Sequence, residues 1–180
     1  MRISTVATTV LALFLATGCS KPSRLDDATV VDVCQLVGTE VAERVLGPLS
    51  KAPAPESTDT SFAGNCTWSF KAVRGEAPGK LAAFLMTRAS AGHGMKPSRF
   101  FEVSQPEVRV SLGAAPWPMK DLGDVAHLYQ TRDPNHSELW LKQAETVVIM
   151  RMNGGSSAQL EEMARLLARE FAPKKSGAAA

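Results

Sequence analysis

Residues 125–171 read VAHLYQTRDPNHSELWLKQAETVVIMRMNGGSSAQLEEMARLLAREF, and their pattern decides the fold. Three strand-like runs, 125–131, 137–143 and 146–152, are separated by Asp133-Pro134-Asn135 and by Ala144-Glu145. Asn153-Gly154-Gly155 breaks the sheet, and Ser156 caps a helix with Gln159 at capping-box spacing. Leu160, Met163, Ala164, Leu167 and Phe171 share one face of that helix, while Glu161 and Arg165 pair on the other. A turn centred on Pro134-Asn135 sets Tyr129 opposite Trp140 and Leu128 opposite Leu141. A turn at Ala144-Glu145 sets Trp140 opposite Ile149 and Glu138 opposite Arg151. One face of the sheet then carries Leu128, Leu139, Leu141, Val148 and Met150, wholly apolar, and belongs beneath the helix. The other carries Tyr129, Trp140 and Ile149 in a row, rimmed by His127, Thr131, Glu138, Lys142 and Arg151. An aromatic centre with a charged rim is the composition of a binding patch; the same row would also serve as a second core layer under an N-terminal helix.

Upstream, Asp32-Val33-Cys34-Gln35 has capping-box spacing and starts one helical turn. Thr39 caps a second helical stretch with Val41, Ala42, Val45 and Leu46 on one stripe, stopped by Gly47-Pro48. Residues 48–64 are rich in Ser, Thr and Pro without periodicity and read as a surface loop. Cys66, Trp68, Phe70 and Ala72 alternate with polar residues as a strand, and 81–86 is continuously apolar, suiting a strand covered on both faces. Residues 98–104 suit a short helix ending before Pro106, because proline disfavours helical geometry in its predecessor. Val108, Val110 and Leu112 alternate as a short strand, and Trp117, between Pro116 and Pro118, sits on a stiff loop as a second binding candidate or the plug of a sheet edge. The expected fold is α+β: an antiparallel sheet of five or six strands with helices packed on it, in the order α-β-β-α-β-β-β-α.

The N-terminus has its own signature. Met1-Arg2 precedes an uncharged apolar stretch, 3–16, that reaches only about 21 Å as a helix, short of the ~30 Å bilayer core. It reads as an export signal, 1–18, and Leu15-Ala16-Thr17-Gly18-Cys19 resembles the lipobox of bacterial lipoproteins. That resemblance implies cleavage before Cys19 and acylation (palmitate-type) of its thiol and of the new amino terminus, a stable membrane anchor. Residues 19–29 form a tether, 30–172 a single domain and 173–180 a disordered tail. Of three cysteines, assigning Cys19 to lipid leaves Cys34 and Cys66, and an oxidising compartment makes their disulfide the default. Neither has another Cys or His within four residues, so zinc-ribbon spacing is absent.

A formal charge of +2 argues against a nucleic-acid partner, which requires a concentrated basic face. With 44% hydrophobic and 21% charged residues the chain is globular. Chemical motifs are missing: there is no Gly-x-Ser-x-Gly, and no serine has a lysine three residues on. Ser90 and His93 lie in a loop-like Ala-Ser-Ala-Gly-His-Gly, and His93, His127 and His136 lack zinc-enzyme spacing. Asp121, Asp124 and Asp133 lack a calcium-loop pattern, and Asp124 after Gly123 is expected to shape a turn. No catalytic residue, metal or cofactor is expected.

The order Asp32-x-Cys34-x-Leu36, Cys66-x-Trp68 and Leu122-Gly123-Asp124-x-Ala126, followed by a meander and a final helix, resembles a family of bacterial envelope lipoproteins without an agreed activity, best known from actinobacteria. It is also similar to the cysteine-bridged extracellular sensor domains of some bacterial kinases and, distantly, to the PsbP-like fold. The resemblance spans about residues 30–172 and implies fold and disulfide only. The functional expectation is a lipid-anchored envelope protein, not an enzyme, with a binding or accessory role toward a protein or small ligand. The alternative is an envelope hydrolase with a non-motif site, which His127 or His136 beside Asp133 or Glu138 in a deep cleft would favour. Ser20 after the acylated cysteine points to the outer membrane in a two-membrane cell, and in a one-membrane cell the site is the outer face of the plasma membrane.

Overall fold

The structure, a computed structural model, describes residues 27–56, 61–72, 78–92, 94–133 and 135–171. The expected leader 1–18, Cys19 and the tail 173–180 lie outside the described residues, as do His93 and Pro134. In chain order the elements are α1 (Val33–Val37), α2 (Thr39–Leu46), β1 (Leu49–Ala54), β2 (Gly64–Phe70), β3 (Gly79–Thr87), α3 (Arg88–Ala91), α4 (Pro97–Leu112), β4 (Trp117–Met119), β5 (Val125–Gln130), β6 (His136–Gln143), β7 (Thr146–Asn153) and α5 (Ser157–Phe171). The strands form one antiparallel sheet, seven strands among the described residues, in the order β1-β2-β3-β7-β6-β5-β4. Two meanders, β1–β3 and β4–β7, are thus zipped together by β3 against β7. The α+β expectation stands; its strand count and element order are corrected.

Local chemistry explains the termini of the helices. The Asp32 carboxylate accepts the Gln35 amide at 3.1 Å and starts α1. Gly38, at φ 71°, separates α1 from α2 and takes the N-cap position expected of Thr39, and Gly47 ends α2 at φ 86°. Ser156 Oγ accepts the Gln159 amide at 3.3 Å while Gln159 Oε1 accepts the Ser156 amide at 2.9 Å, which is the expected capping box.

Four corrections concern elements. β1 lies inside the expected 48–64 loop: it is an edge strand with only Leu49 and Pro53 partly covered and two register shifts against β2, so it has no alternation to read. The expected 98–104 helix and 108–112 strand are a single helix, α4, which runs through Pro106. Pro106 is exposed, so the carbonyl left without its amide partner faces water. Pro97 occupies the first turn of α4, where its missing N–H is no loss. Trp117 lies not on a loop but in the edge strand β4. Finally, the expected tether ends early. Ala28 packs against the core, its carbonyl accepts the Thr87 hydroxyl at 2.6 Å, and Asp27 pairs with Arg88.

Each face of the sheet has its own core. On the first, α1, α2 and α5 bury Trp68, Phe70, Leu81, Leu85, Leu128, Leu139, Leu141, Val148 and Met150 beneath Leu160, Met163, Leu167 and Phe171. The apolar face expected under the C-terminal helix is the one observed. On the second, α4 covers Tyr129, Trp140, Val147 and Ile149 with Phe101 and Val108. Cys34 and Cys66 form a disulfide that ties α1 to β2 across 32 residues, with Cα atoms 5.1 Å apart.

The register of β6 with β7 is the expected one: Trp140 faces Ile149, Glu138 faces Arg151, and Gln143 faces Thr146 around Ala144-Glu145. Ala144 takes φ 50° there. Between β5 and β6 the pairing is displaced by two residues, His127 against Trp140, Leu128 against Leu139 and Tyr129 against Glu138. The connection is longer than a two-residue turn, with Thr131 N donating to His136 O at 3.4 Å. A shift of two preserves the faces, because side chains alternate with a period of two. Every residue therefore kept its expected side despite the wrong partner.

Candidate functional site

The row of Tyr129, Trp140 and Ile149 is buried, at 0%, 3% and 3% exposure, and is not an open binding face. The element that covers it is α4, whose Phe100 stacks on the Trp140 ring with centroids 5.9 Å apart while Phe101 meets it edge-on at 6.4 Å. The expected cover, an N-terminal helix, lies on the opposite face with α5.

Beside this layer sits a set of polar groups. Glu138, 6% exposed, accepts the Trp140 indole N–H at 3.1 Å through Oε2 and faces Arg151 Nε at 3.0 Å through Oε1. Arg151 also lies over the Phe84 ring, 5.7 Å from its centroid. His136 Nε2 is 3.8 Å from the same Glu138 Oε1, and its Nδ1 is 2.7 Å from Asn153 Oδ1. Deeper under α4, Gln105 Oε1 accepts both the Tyr129 hydroxyl and the His127 Nδ1–H, the latter at 2.8 Å. Burial lowers the His127 pKa, and burial together with the Glu138 carboxylate raises that of Tyr129. Gln105 was invisible as a site residue in the sequence, since a polar residue before a proline reads as the end of a helix.

Two adjoining clefts, of about 690 and 250 Å³, flank the β5–β6 connection and share Thr131, Arg132, Asp133 and His136. One is walled by the C-terminal end of α4, the other by Ser137 and Ser157. His136 therefore does stand beside Glu138 at a cleft. The His136 Nδ1 lies against Asn153 Oδ1, its Nε2 faces Glu138 Oε1 beyond hydrogen-bond distance, and both Glu138 oxygens are engaged, Oε1 by Arg151 and Oε2 by Trp140. Glu138 orients Trp140 and Arg151. Among the described residues no three His, Cys, Asp or Glu side chains converge as metal ligands. Ser90 completes a capping box with Thr87, each accepting the other's amide at 3.0 Å.

The landmark residues are explained by architecture. Leu122 is core; Asp124 Oδ2 accepts the Ala144 amide at 2.7 Å and braces the β6–β7 turn. Gly123 has φ 60°, and a Cβ there would lie 2.3 Å from Leu141 Cδ1 and 2.7 Å from the Lys142 carbonyl. Trp68 and Cys66 are fully buried.

Trp117 is the sequence candidate that remains at the surface, 71% exposed. It pairs with Leu128 at the sheet edge, and Pro118 beside it pairs with His127. Pro118 has no N–H to offer, which makes this edge a poor template for an added strand. Val110, 81% exposed, is the other large apolar group open near the end of α4. No family model, curated protein or solved structure matches the chain, and the chemistry of these surfaces alone bears on what it does.

Proposed function

We propose that this chain is an exported envelope protein, anchored by acylation of Cys19, with a noncatalytic binding or accessory role. The observation that carries the reading is the Cys34–Cys66 disulfide. A buried cross-link of this kind belongs in an oxidising compartment, and it leaves Cys19, directly after the apolar leader, as the remaining cysteine of three. No helix among the described residues is long and apolar enough to cross a membrane, and attachment through acyl chains requires none. The binding role rests on Trp117, rigidly presented between two prolines.

The test is Cys19→Ser followed by cell fractionation and mass measurement of the N-terminal peptide. The protein should leave the membrane fraction and its acyl mass should vanish. Unchanged membrane retention would overturn the anchor. For the role, Trp117→Ala should remove cross-linked envelope partners without changing stability. The hydrolase alternative draws on the 690 Å³ cleft lined by His136; turnover of an ester or amide substrate that His136→Ala abolishes would establish it instead.

A further inference from the structure

The sheet has two distinguishable ends. Gly64, Thr87, Thr146, Gln143 and Val125 lie at one, and Phe70, Gly79, Asn153, His136 and Gln130 at the other. The chain enters at the first end and is stitched there. Asp27 pairs with Arg88, Ala28 O accepts the Thr87 hydroxyl, and Val31 N donates to Ala63 O at 2.8 Å. From position 19 to position 27 a fully extended chain reaches at most ~29 Å, and a flexible one about 16 Å. The strands themselves run about 26 Å, so the far end stands that much deeper in the aqueous phase.

Next to the entry point, Met95 is 50% exposed and lines a shallow pocket with Ser61, Met86, Ser90 and Phe100. Lys96 follows it, exposed and in no ion pair among the described residues. Of the neighbouring charges, Arg88 pairs with Asp27 and Arg99 with Glu102, while the Glu145 carboxylate accepts the Ser98 hydroxyl and keeps its charge. An open thioether beside an uncommitted ammonium suits the boundary of a bilayer, with the apolar group among acyl chains and the cation at phosphate.

We infer that the domain stands on the lipid surface with the Thr87–Thr146 end of its sheet toward the membrane, Met95 and Lys96 making the contact, and the clefts around His136 turned away into the aqueous space. The inference rests on the Cys19 anchor proposed above. It deepens that reading by assigning the anchored domain an orientation and a lipid-contact loop.

The test uses the mature chain isolated from membranes and reconstituted in phosphatidylethanolamine–phosphatidylglycerol vesicles. Met95→Cys and Asn135→Cys each supply the single reactive thiol, since Cys19 would be blocked by its thioether and Cys34 and Cys66 are bonded; each is labelled with an environment-sensitive fluorophore. Spin-labelled lipid should quench position 95 several-fold more than position 135, and aqueous iodide should show the reverse. Equal quenching, or deeper quenching at 135, overturns the orientation. Shielding of position 95 in the chain made without residues 1–19, with neither detergent nor vesicles present, also overturns it, because the contact would then be with a second copy of the chain. The N-terminal peptide mass from the same sample separates the two readings. An acylated Cys19 with an unshielded position 95 defeats the orientation alone, whereas an unacylated Cys19 defeats both.

Discussion

Removing the Cys34–Cys66 disulfide tests the architecture most directly. The bond closes a loop with a sequence separation of 32, and the lost loop-closure entropy of the unfolded chain corresponds to about 3.7 kcal/mol at 25 °C. Cys66 is fully buried, so Cys34→Ala/Cys66→Ala adds roughly 1 kcal/mol of cavity. At about 2–4 °C per kcal/mol for a domain near this size, the loop term alone lowers Tm by roughly 7–15 °C. Equilibrium urea unfolding should be measured on the oxidised protein, on the same protein in a phosphine reductant, and on the double variant. The reduced protein should lose about 3–4 kcal/mol, the variant about 1 kcal/mol more, and the urea slope should rise in both because the unfolded state expands. A loss below about 1 kcal/mol in both arms would refute the reasoning, as would two alkylatable thiols at Cys34 and Cys66 in the protein isolated without reductant.

Trp140→Ala should destabilise by about 3–5 kcal/mol, comparable with Leu141→Ala on the other face, because Phe100 and Phe101 close over the ring; an unaltered urea midpoint would show that α4 does not cover it. Gly123→Ala combines a left-handed backbone costing about 1–2 kcal/mol with a contact on the Lys142 carbonyl that cannot yield, so its melting temperature should fall clearly while Gly113→Ala, left-handed with open space around its Cβ position, falls only by the backbone term. The pKa of His127 is depressed by burial, so the native state resists the proton that the unfolded chain accepts near pH 6.5. Stability should therefore fall as pH drops through about 6.5 and level off below the native value, and His127→Gln should flatten that part of the curve; an unchanged pH profile would exclude His127 as its source.

Side-chain periodicity and local chemistry carried much of this protein in the sequence itself. The three C-terminal strands, the Asp32 and Ser156 caps, the face shared by Leu139, Leu141, Val148 and Met150, and the residues facing the other way all follow from alternation and helical spacing. Even a register displaced by two left the faces right, since parity is a local property. What covers a face is not local. α4 runs through Pro106 because that proline is exposed, and its solvent exposure is set by the sheet the helix lies on. Once α4 is whole it reaches across the second face and turns the Tyr129–Trp140–Ile149 row from a candidate patch into core. The same holds for the polar groups: a carboxylate two residues from a histidine looks like a catalytic pair in sequence. Only the packed structure decides that Glu138 is taken by Arg151 and Trp140, because Arg151 arrives from the adjacent strand to occupy Oε1 and α4 holds the Trp140 ring with its N–H on Oε2.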